Sequence, residues 1–464
     1  MPRLYKERSH VLSFLAVQAC FQKKWRRNDV LTDIEEWTGR SRYEIWETEL
    51  DRPEHMFALK YEITDERAMA LDDMLESIEQ GHDPDLDTVT TRRRRDGTTG
   101  KERDIAYLCI RHQLLGHAVA LGIEPLLNAR YLPCQHASLP GRGPTKLARQ
   151  VRRALNRKLG IKYFQKTDCS KAYASTQYSK VRAILKAEIP RARWIHAGMA
   201  MLERYAPGGH LIIGGYLDAR LFNFVMSYAL RYVLSLHKSR RGNKIPLVIA
   251  IGNYMDDCAF FSSSASALAQ AVRRYTAYLE ERYQIRARPT TGIIRLWTIE
   301  EEKAHKHRAT PAARGCPMID IGGYRIGRSH TTIRRRNAVK AIRCMKRAWR
   351  EYKATGTLKH QRANSVISRN SFFTQTDSFR MAKRYHLAEL LRVAKRIQAY
   401  WARVRNRKRR ERLQNVIDKY REHRAAWCRD DAAPARRHRE RAAGGQHPGG
   451  NPDGRARRAG RVHL

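Results

Sequence analysis

Two adjacent acids, Asp256 and Asp257, stand between two apolar runs, and no other feature limits the fold of this chain so tightly. Leu247-Val248-Ile249-Ala250-Ile251 precedes them; Cys258-Ala259-Phe260-Phe261 and then Ser262 to Ser264 follow. Short apolar runs around such a break predict a β-hairpin with Asp256 and Asp257 at its tight turn. Neighbouring carboxylates repel, and desolvating them is costly, so stability alone does not place them there. A divalent cation removes the conflict, and hard oxygen ligands on a rigid turn suit Mg²⁺. The plainer alternative is a solvated turn, since Asp is a common turn residue.

The charge balance narrows the partner. Lys and Arg total 91 against 46 acids, a formal charge of +45. Such a surplus calls for a polyanion. No stretch approaches the ~20 apolar residues of a spanning helix, which favours nucleic acid over membrane. With 464 residues, 42% of them apolar, a sizeable core and roughly three domains are feasible. The N-terminus, Met1 to Lys6, lacks the apolar core of a secretion signal. Eight cysteines are scattered with no C-x-x-C pair, which suggests neither a zinc site nor a disulfide framework. The expectation is a cytoplasmic protein with free thiols.

In chain order, residues 1–90 read as a helical region, with Val11, Leu12, Phe14, Leu15 and Val17 at roughly helical spacing. The segment 62–87 is acidic against the trend, either a solvated helix face or a partner for basic helices later on. Residues 92–104 form a basic, glycine-punctuated loop; Lys101 and Arg103 there suit triphosphate oxygens, or simply a basic surface. Ala137 to Gly143 is a glycine turn opening a basic helix, where the helix N-terminus and Arg142 favour phosphate. Ile161 to Thr167 reads as a strand ending at Asp168, with a helix starting near Ser175. Tyr173 by itself could be a core aromatic. A glycine-rich turn from Pro207 leads through Gly214 into an apolar helix, with Asp218 and Asn223, that runs to about Leu236. Ala265 to Tyr283 is amphipathic, with Leu268, Ala271, Val272, Tyr275 and Leu279 on one side. Ile319 to Ile326 reads as a strand holding the pair Gly322-Gly323 and Tyr324, followed by Arg334 and Arg335. Residues 337–427 are helical and basic, with a second helical stretch from Ala382 to Arg396. Residues 428–464 cannot bury a core and are expected to be disordered.

In this order the landmarks resemble those of bacterial retroelement-type reverse transcriptases, the group of retrons, group II introns, diversity-generating elements and defence-associated enzymes. Tyr254-Met255-Asp256-Asp257 is similar to their metal-binding signature. Asp168 followed by Tyr173 resembles the first palm motif. Lys101-x-Arg103-x-Ile105 resembles the fingers motif, and Ser138-x-Pro140-Gly141-Arg142-Gly143 the fingers–palm junction. Gly214 and Asn223 match the second palm motif, which departs from the family in having Ile212 for Pro and Asp218-Ala219 for Ser-Gln. Gly323-Tyr324-Arg325-Ile326 and the arginines at 334–335 resemble the primer grip.

The resemblance covers about residues 92–395. It implies an α+β right-hand polymerase: fingers at 91–160, a palm with an antiparallel sheet at 161–335, a helical thumb at 336–427, and a tail at 428–464. It implies RNA-directed DNA synthesis from dNTPs on an RNA template and a DNA or RNA primer. Asp168, Asp256 and Asp257 would be the metal and catalytic set for two Mg²⁺ ions, Asp257 in a supporting role. Lys101, Arg103, Tyr173 and Gly214 would meet the nucleotide, Tyr173 as the steric gate against a 2′-hydroxyl. Arg142, Asn223, Gly323, Tyr324, Arg334 and Arg335 would meet nucleic acid. Lys303 and Lys306 lie where a general acid is usual, in no clear motif. Two alternatives stand beside this reading: a non-catalytic binding protein on a polymerase fold, and an RNA-synthesising polymerase. The complete carboxylate set opposes the first; Tyr173 and Met255 oppose the second, where a small gate residue and a glycine before the acids are usual.

Overall fold

The strand that ends near Asp168 is the centre of the largest sheet. β3 (Tyr163–Cys169) pairs antiparallel on one side with β7 (Asp257–Ser262) and on the other with β8 (Ala287–Pro289) and β9 (Ile294–Arg295). β6 (Ala250–Tyr254) closes the edge beyond β7. The computed structural model describes residues 4–411 apart from 23, 26, 52–54, 96–101, 158–159, 308–314, 375, 405–406 and 408–410. It forms two units: one of residues 1–42 and 57–405, the other of residues 43–56 and 406–464. The second contains most of α3 (Arg42–Asp51).

Alternation along β7 sends successive phenylalanines to opposite faces. Phe260 meets Tyr275 of α12 (Ala265–Tyr283), with ring centroids 4.8 Å apart. The five residues assigned to the apolar side of α12 are all buried. Phe261 faces the other way, into a cluster with Leu147, Val151 and Leu155 of α7 (Pro144–Arg157) and with Ile319 and Ile321. Burying each such ring stabilises the fold by about 1.5–3 kcal/mol. α11 (Tyr216–Ser235) packs beside α12 and α5 (Ile110–Gly122), and α6 (Glu124–Arg130), α9 (Tyr178–Glu188) and α10 (Arg193–Tyr205) complete that layer.

The expected strand from Ile319 to Ile326 is two strands. β10 (Ile319–Ile321) and β11 (Tyr324–Ile326) are joined by Gly322 (φ 59°) and Gly323 (φ 88°), and β12 (Thr331–Ile333) pairs with β11. Two positive φ angles in a two-residue loop define a primed hairpin turn, which glycine allows. α13 (Ile299–His307) brings buried Glu302 under the next turn, where it accepts from the Arg328 and Ser329 amides.

The basic loop at 92–104 is also a hairpin: β1 (Thr90–Arg95) against β2 (Glu102–Tyr107), exposed on every residue of β1. A smaller one joins β4 (His237–Arg240) to β5 (Asn243–Pro246). At the N-terminus α1 (His10–Phe21) packs on α5, followed by α2 (Asn28–Thr38) and the acidic α4 (Met56–Glu79). The acids of α4 pair with the N-terminal segment: Glu76 and Glu79 with Arg8, Asp65 and Asp72 with His10, Glu62 and Glu66 with Arg40. These pairs are local to the N-terminal region, and none joins the basic helices at the other end.

Those helices are α14 (Arg335–Thr355), α15 (His360–Thr374), α16 (Phe379–Arg384) and one over 387–404. Ala341, Met345, Ala348, Val366 and Leu390 join them in a separate core. The helix expected over Ala382 to Arg396 is broken at Tyr385 and His386, where His386 takes φ 54° and stacks on Trp349 at 3.7 Å. The expected tail at 428–464 lies outside the described residues. The chain is mixed α+β with small antiparallel sheets. Among the described residues no helix is long and apolar enough to cross a membrane.

Candidate active site

The hairpin forms, but its turn is shifted by one residue. Tyr254 pairs with Asp257, so Met255 and Asp256 are the central residues and Asp257 opens the returning strand. Met255 takes φ 60°, a left-handed conformation that costs a non-glycine residue about 1–2 kcal/mol. Asn253 holds the turn: its side-chain amide donates to the Met255 carbonyl at 2.7 Å, and its backbone is bonded to Cys134 and His136.

Pairing of β3 with β7 places Thr167 opposite Cys258, which brings Asp168 to the same end of the sheet as the turn. Burial, then the charge of Asp168, then that of Asp257 push the Asp256 carboxyl up to about 6; the Arg103 charge opposes them. Asp257 is raised by burial but has cations of its own. Lys166 Nζ lies 2.9 Å from Asp257 Oδ1, and Arg334 Nη2 is 4.0 Å from Oδ2. Arg334 also pairs with Asp320. No cation lies within ion-pair distance of Asp168 or Asp256 among the described residues. Two hard oxygen donors that repel each other, beside a third already neutralised, fit a magnesium site. Among the described residues no group of three or more His, Cys, Asp or Glu side chains is placed to hold a metal ion by itself.

Tyr173 sits on α8 (Ala172–Ser175), an earlier helical turn than the start expected near Ser175. Its half-buried ring stacks on Phe222 of α11, with centroids 5.5 Å apart at 21°. Burial raises its phenol, and the charges of Asp218, Asp256 and Arg103 all bear on it, so it shares the field of the carboxylates. Arg103 projects from β2. That hairpin is anchored where the Ala106 amide donates to the Ile213 carbonyl at 2.8 Å. Gly214 (φ 119°) passes so close that an added Cβ would lie 3.0 Å from the Ala106 carbonyl oxygen. Lys101 lies outside the described residues.

Four assigned residues are engaged within the protein. Asn223 is buried and donates to the Ala137 and Ala219 carbonyls, so it joins α11 to the glycine turn and touches no surface. Arg142 Nη1 braces the same turn on the Leu132 and Gln135 carbonyls. Tyr324 is a core residue whose hydroxyl reaches Thr145 at 3.4 Å. Gly323 serves the hairpin turn, where an added Cβ would meet Asn337. Arg335 is exposed at the start of α14. Asp218 is buried and binds no cation: it accepts from Tyr178 Oη at 2.8 Å and the Ile212 amide at 2.9 Å, while Arg220 faces Glu124. Lys166 was not singled out from the sequence, although the two-residue period of a strand puts it on the face of Asp168.

No family model and no curated protein matches the chain.

Proposed function

We propose that the chain is an RNA-directed DNA polymerase of the bacterial retroelement type, built as a right hand. In this reading β1–β2 and the helices α5 to α7 are fingers, the five-stranded sheet is the palm, and the basic helices from Arg335 are the thumb. The observation that carries it is the meeting of Asp168 and Asp256 at one end of antiparallel strands, each without a cation among the described residues while Asp257 has two. A pair left in mutual repulsion suits a site completed by an external cation.

Two Mg²⁺ ions, when bound, supply a primer 3′-hydroxyl of lowered pKa and neutralise the triphosphate and leaving pyrophosphate. Asp168 and Asp256 would hold them. Asp257, fixed by Lys166 and Arg334, would keep the turn in register. Arg103 would meet the phosphates of the dNTP. The Tyr173 ring, supported by Phe222, would occupy the space of a 2′-hydroxyl. The rows of basic residues on α14, Arg336, Arg343, Lys346, Arg347 and Arg350, would grip the duplex through its phosphates, without sequence preference.

The test is extension of a DNA primer on an RNA template with dNTPs and Mg²⁺. Wild type should extend; Asp256→Asn should not, while retaining its fold and its affinity for RNA. An active Asp256→Asn protein would overturn the assignment, as would a wild type that extends with rNTPs alone.

A further inference from the structure

A cavity of about 480 Å³ lies on the N-terminal side of the Gly214 segment. Its walls are Lys24 just beyond α1, His112 and His117 on α5, and the first turn of α11 from Gly214 to Asp218. None of Asp168, Asp256 or Tyr173 lines it. The volume falls within the roughly 300–1,000 Å³ of small-molecule pockets.

Its polar groups are unusual for a core. His112 and His117 are only 3% and 6% exposed, and Nδ1 of each has no hydrogen-bond partner. Leaving such a nitrogen unpaired costs about 1–3 kcal/mol. Burial pushes the two imidazoles down to about 4 and about 3, so both are neutral near pH 7, each with one N–H to donate and one nitrogen to accept. The charges of Lys24 and Arg220 bear on His117 as well. α11 is a 20-residue helix whose N-cap, Gly215, has no side chain, and of its first-turn amides that of Asp218 is taken by the Asp218 carboxylate itself. Lys24 Nζ donates to Gln113 Oε1 at 2.7 Å, which holds the ammonium at the cavity wall with N–H groups left to give. One carboxylate lines the cavity, and the donors nearest to it are its own: Asp218 Oδ1 takes the Tyr178 hydroxyl and the Ile212 amide. Arg27 also lines it, paired with Asp29. Beside this donor set the wall turns flat and apolar. The His117 and Tyr216 rings stack at 4.0 Å, and Leu108 and Leu202 lie nearby.

We propose that this cavity binds a phosphomonoester of nucleoside monophosphate size, its phosphate held by Lys24, the two imidazoles and the first turn of α11, its base against the apolar wall. The site is separate from the polymerisation centre and does not depend on that reading. It shares the Gly214 segment with it, and that segment carries the bond from Ile213 to the β1–β2 hairpin.

The experiment is calorimetric titration of the nuclease-treated full chain in EDTA, without template or primer, with AMP, GMP, CMP and UMP. Adenosine and inorganic phosphate serve as half-ligands. At least one monophosphate should bind saturably, and each half-ligand at least about tenfold more weakly. Lys24→Met and His117→Gln should each weaken binding at least tenfold, and Asp256→Asn should leave it unchanged. Should His117→Gln fail to fold, as judged by its melting curve, Lys24→Met decides by itself, because Lys24 lies outside the helices. The proposal falls if no monophosphate binds at millimolar concentration, or if Lys24→Met binds as wild type. It also falls if Asp256→Asn abolishes binding, which would put the nucleotide in the polymerisation centre.

Discussion

Asp256 in the β6–β7 turn and Asp218 in the first turn of α11 are both carboxyls pushed up to about 6, yet the two regions around them are built in opposite ways. At Asp218, burial is the only force raising the value, and a hydroxyl and an amide oppose it. At Asp256, burial is joined by the charges of Asp168 and Asp257. One carboxylate has its partners inside the protein; the other has no cation within ion-pair distance among the described residues. A raised pKa does not by itself separate a brace from a reaction centre, whereas the surrounding charges and donors do.

Four measurements would break or sharpen that contrast. The largest effect belongs to Asp256→Asn, which under the proposed function would remove metal-borne stabilisation of several kcal/mol; about 4 kcal/mol is roughly a thousandfold in rate. Its melting temperature should hold or rise, because a repulsive charge is gone. Asp218→Ala should do the reverse. It leaves the Ile212 amide and the Tyr178 hydroxyl without an acceptor, which costs about 2–4 kcal/mol in chemical denaturation. Extension per folded molecule should stay within a few-fold. A thousandfold loss there would show that Asp218 belongs to the reaction centre.

The third is pH linkage. Both folded carboxyls hold their proton more tightly than the ordinary value of 3.8. Their contribution to stability is therefore fully present below about 3.8 and is lost as pH rises through about 6, up to roughly 3 kcal/mol for each. A bound cation favours the ionised form, so Mg²⁺ should cancel the share of Asp256 and leave that of Asp218. Denaturation midpoints of wild type, Asp218→Asn and Asp256→Asn between pH 4.5 and 7, with and without Mg²⁺, separate the two. An equal response of both variants to Mg²⁺ would contradict the contrast. The smallest effect is at Tyr173. Tyr173→Ala should lower dNTP-over-rNTP discrimination at least about tenfold, or ~1.4 kcal/mol, with dNTP incorporation moderately slowed. A lowered melting temperature with an unchanged ratio would make Tyr173 simply the neighbour that Phe222 packs against.

The sequence carries the local part of this structure well. Period places α12 at Ala265 to Tyr283, as observed, because that helix is decided by its own apolar stripe, and Ser264 caps its start. The strand–acid–aromatic order around Asp168 and Tyr173 is likewise local. What escapes is the identity of distant partners. Nothing near Asn223 indicates that Ala137 will accept from it, and nothing near Asp218 indicates that Tyr178 will donate to it. The acids of α4 could have served any of the many basic residues; folding gives them Arg8, His10 and Arg40. The glycines at 322 and 323 carried the right signal, but a glycine pair inside an apolar run permits a bulge, a close approach or a turn, and only the register decides.

The position of β3 has a consequence for how the chain is made. This strand bears Asp168, and every strand that pairs with it comes later in the sequence, β7, β8 and β9. A ribosome adding about 5–20 residues per second needs several seconds to more than twenty to travel from the end of β3 to the end of β8. Until β7 emerges the nascent strand has two bare edges, and until β8 and β9 follow it has one, the condition under which strands pair with the wrong neighbour. The carboxylate pair cannot assemble until the hairpin at Asp256 has emerged, so a truncated product of synthesis carries Asp168 without the acid that completes it.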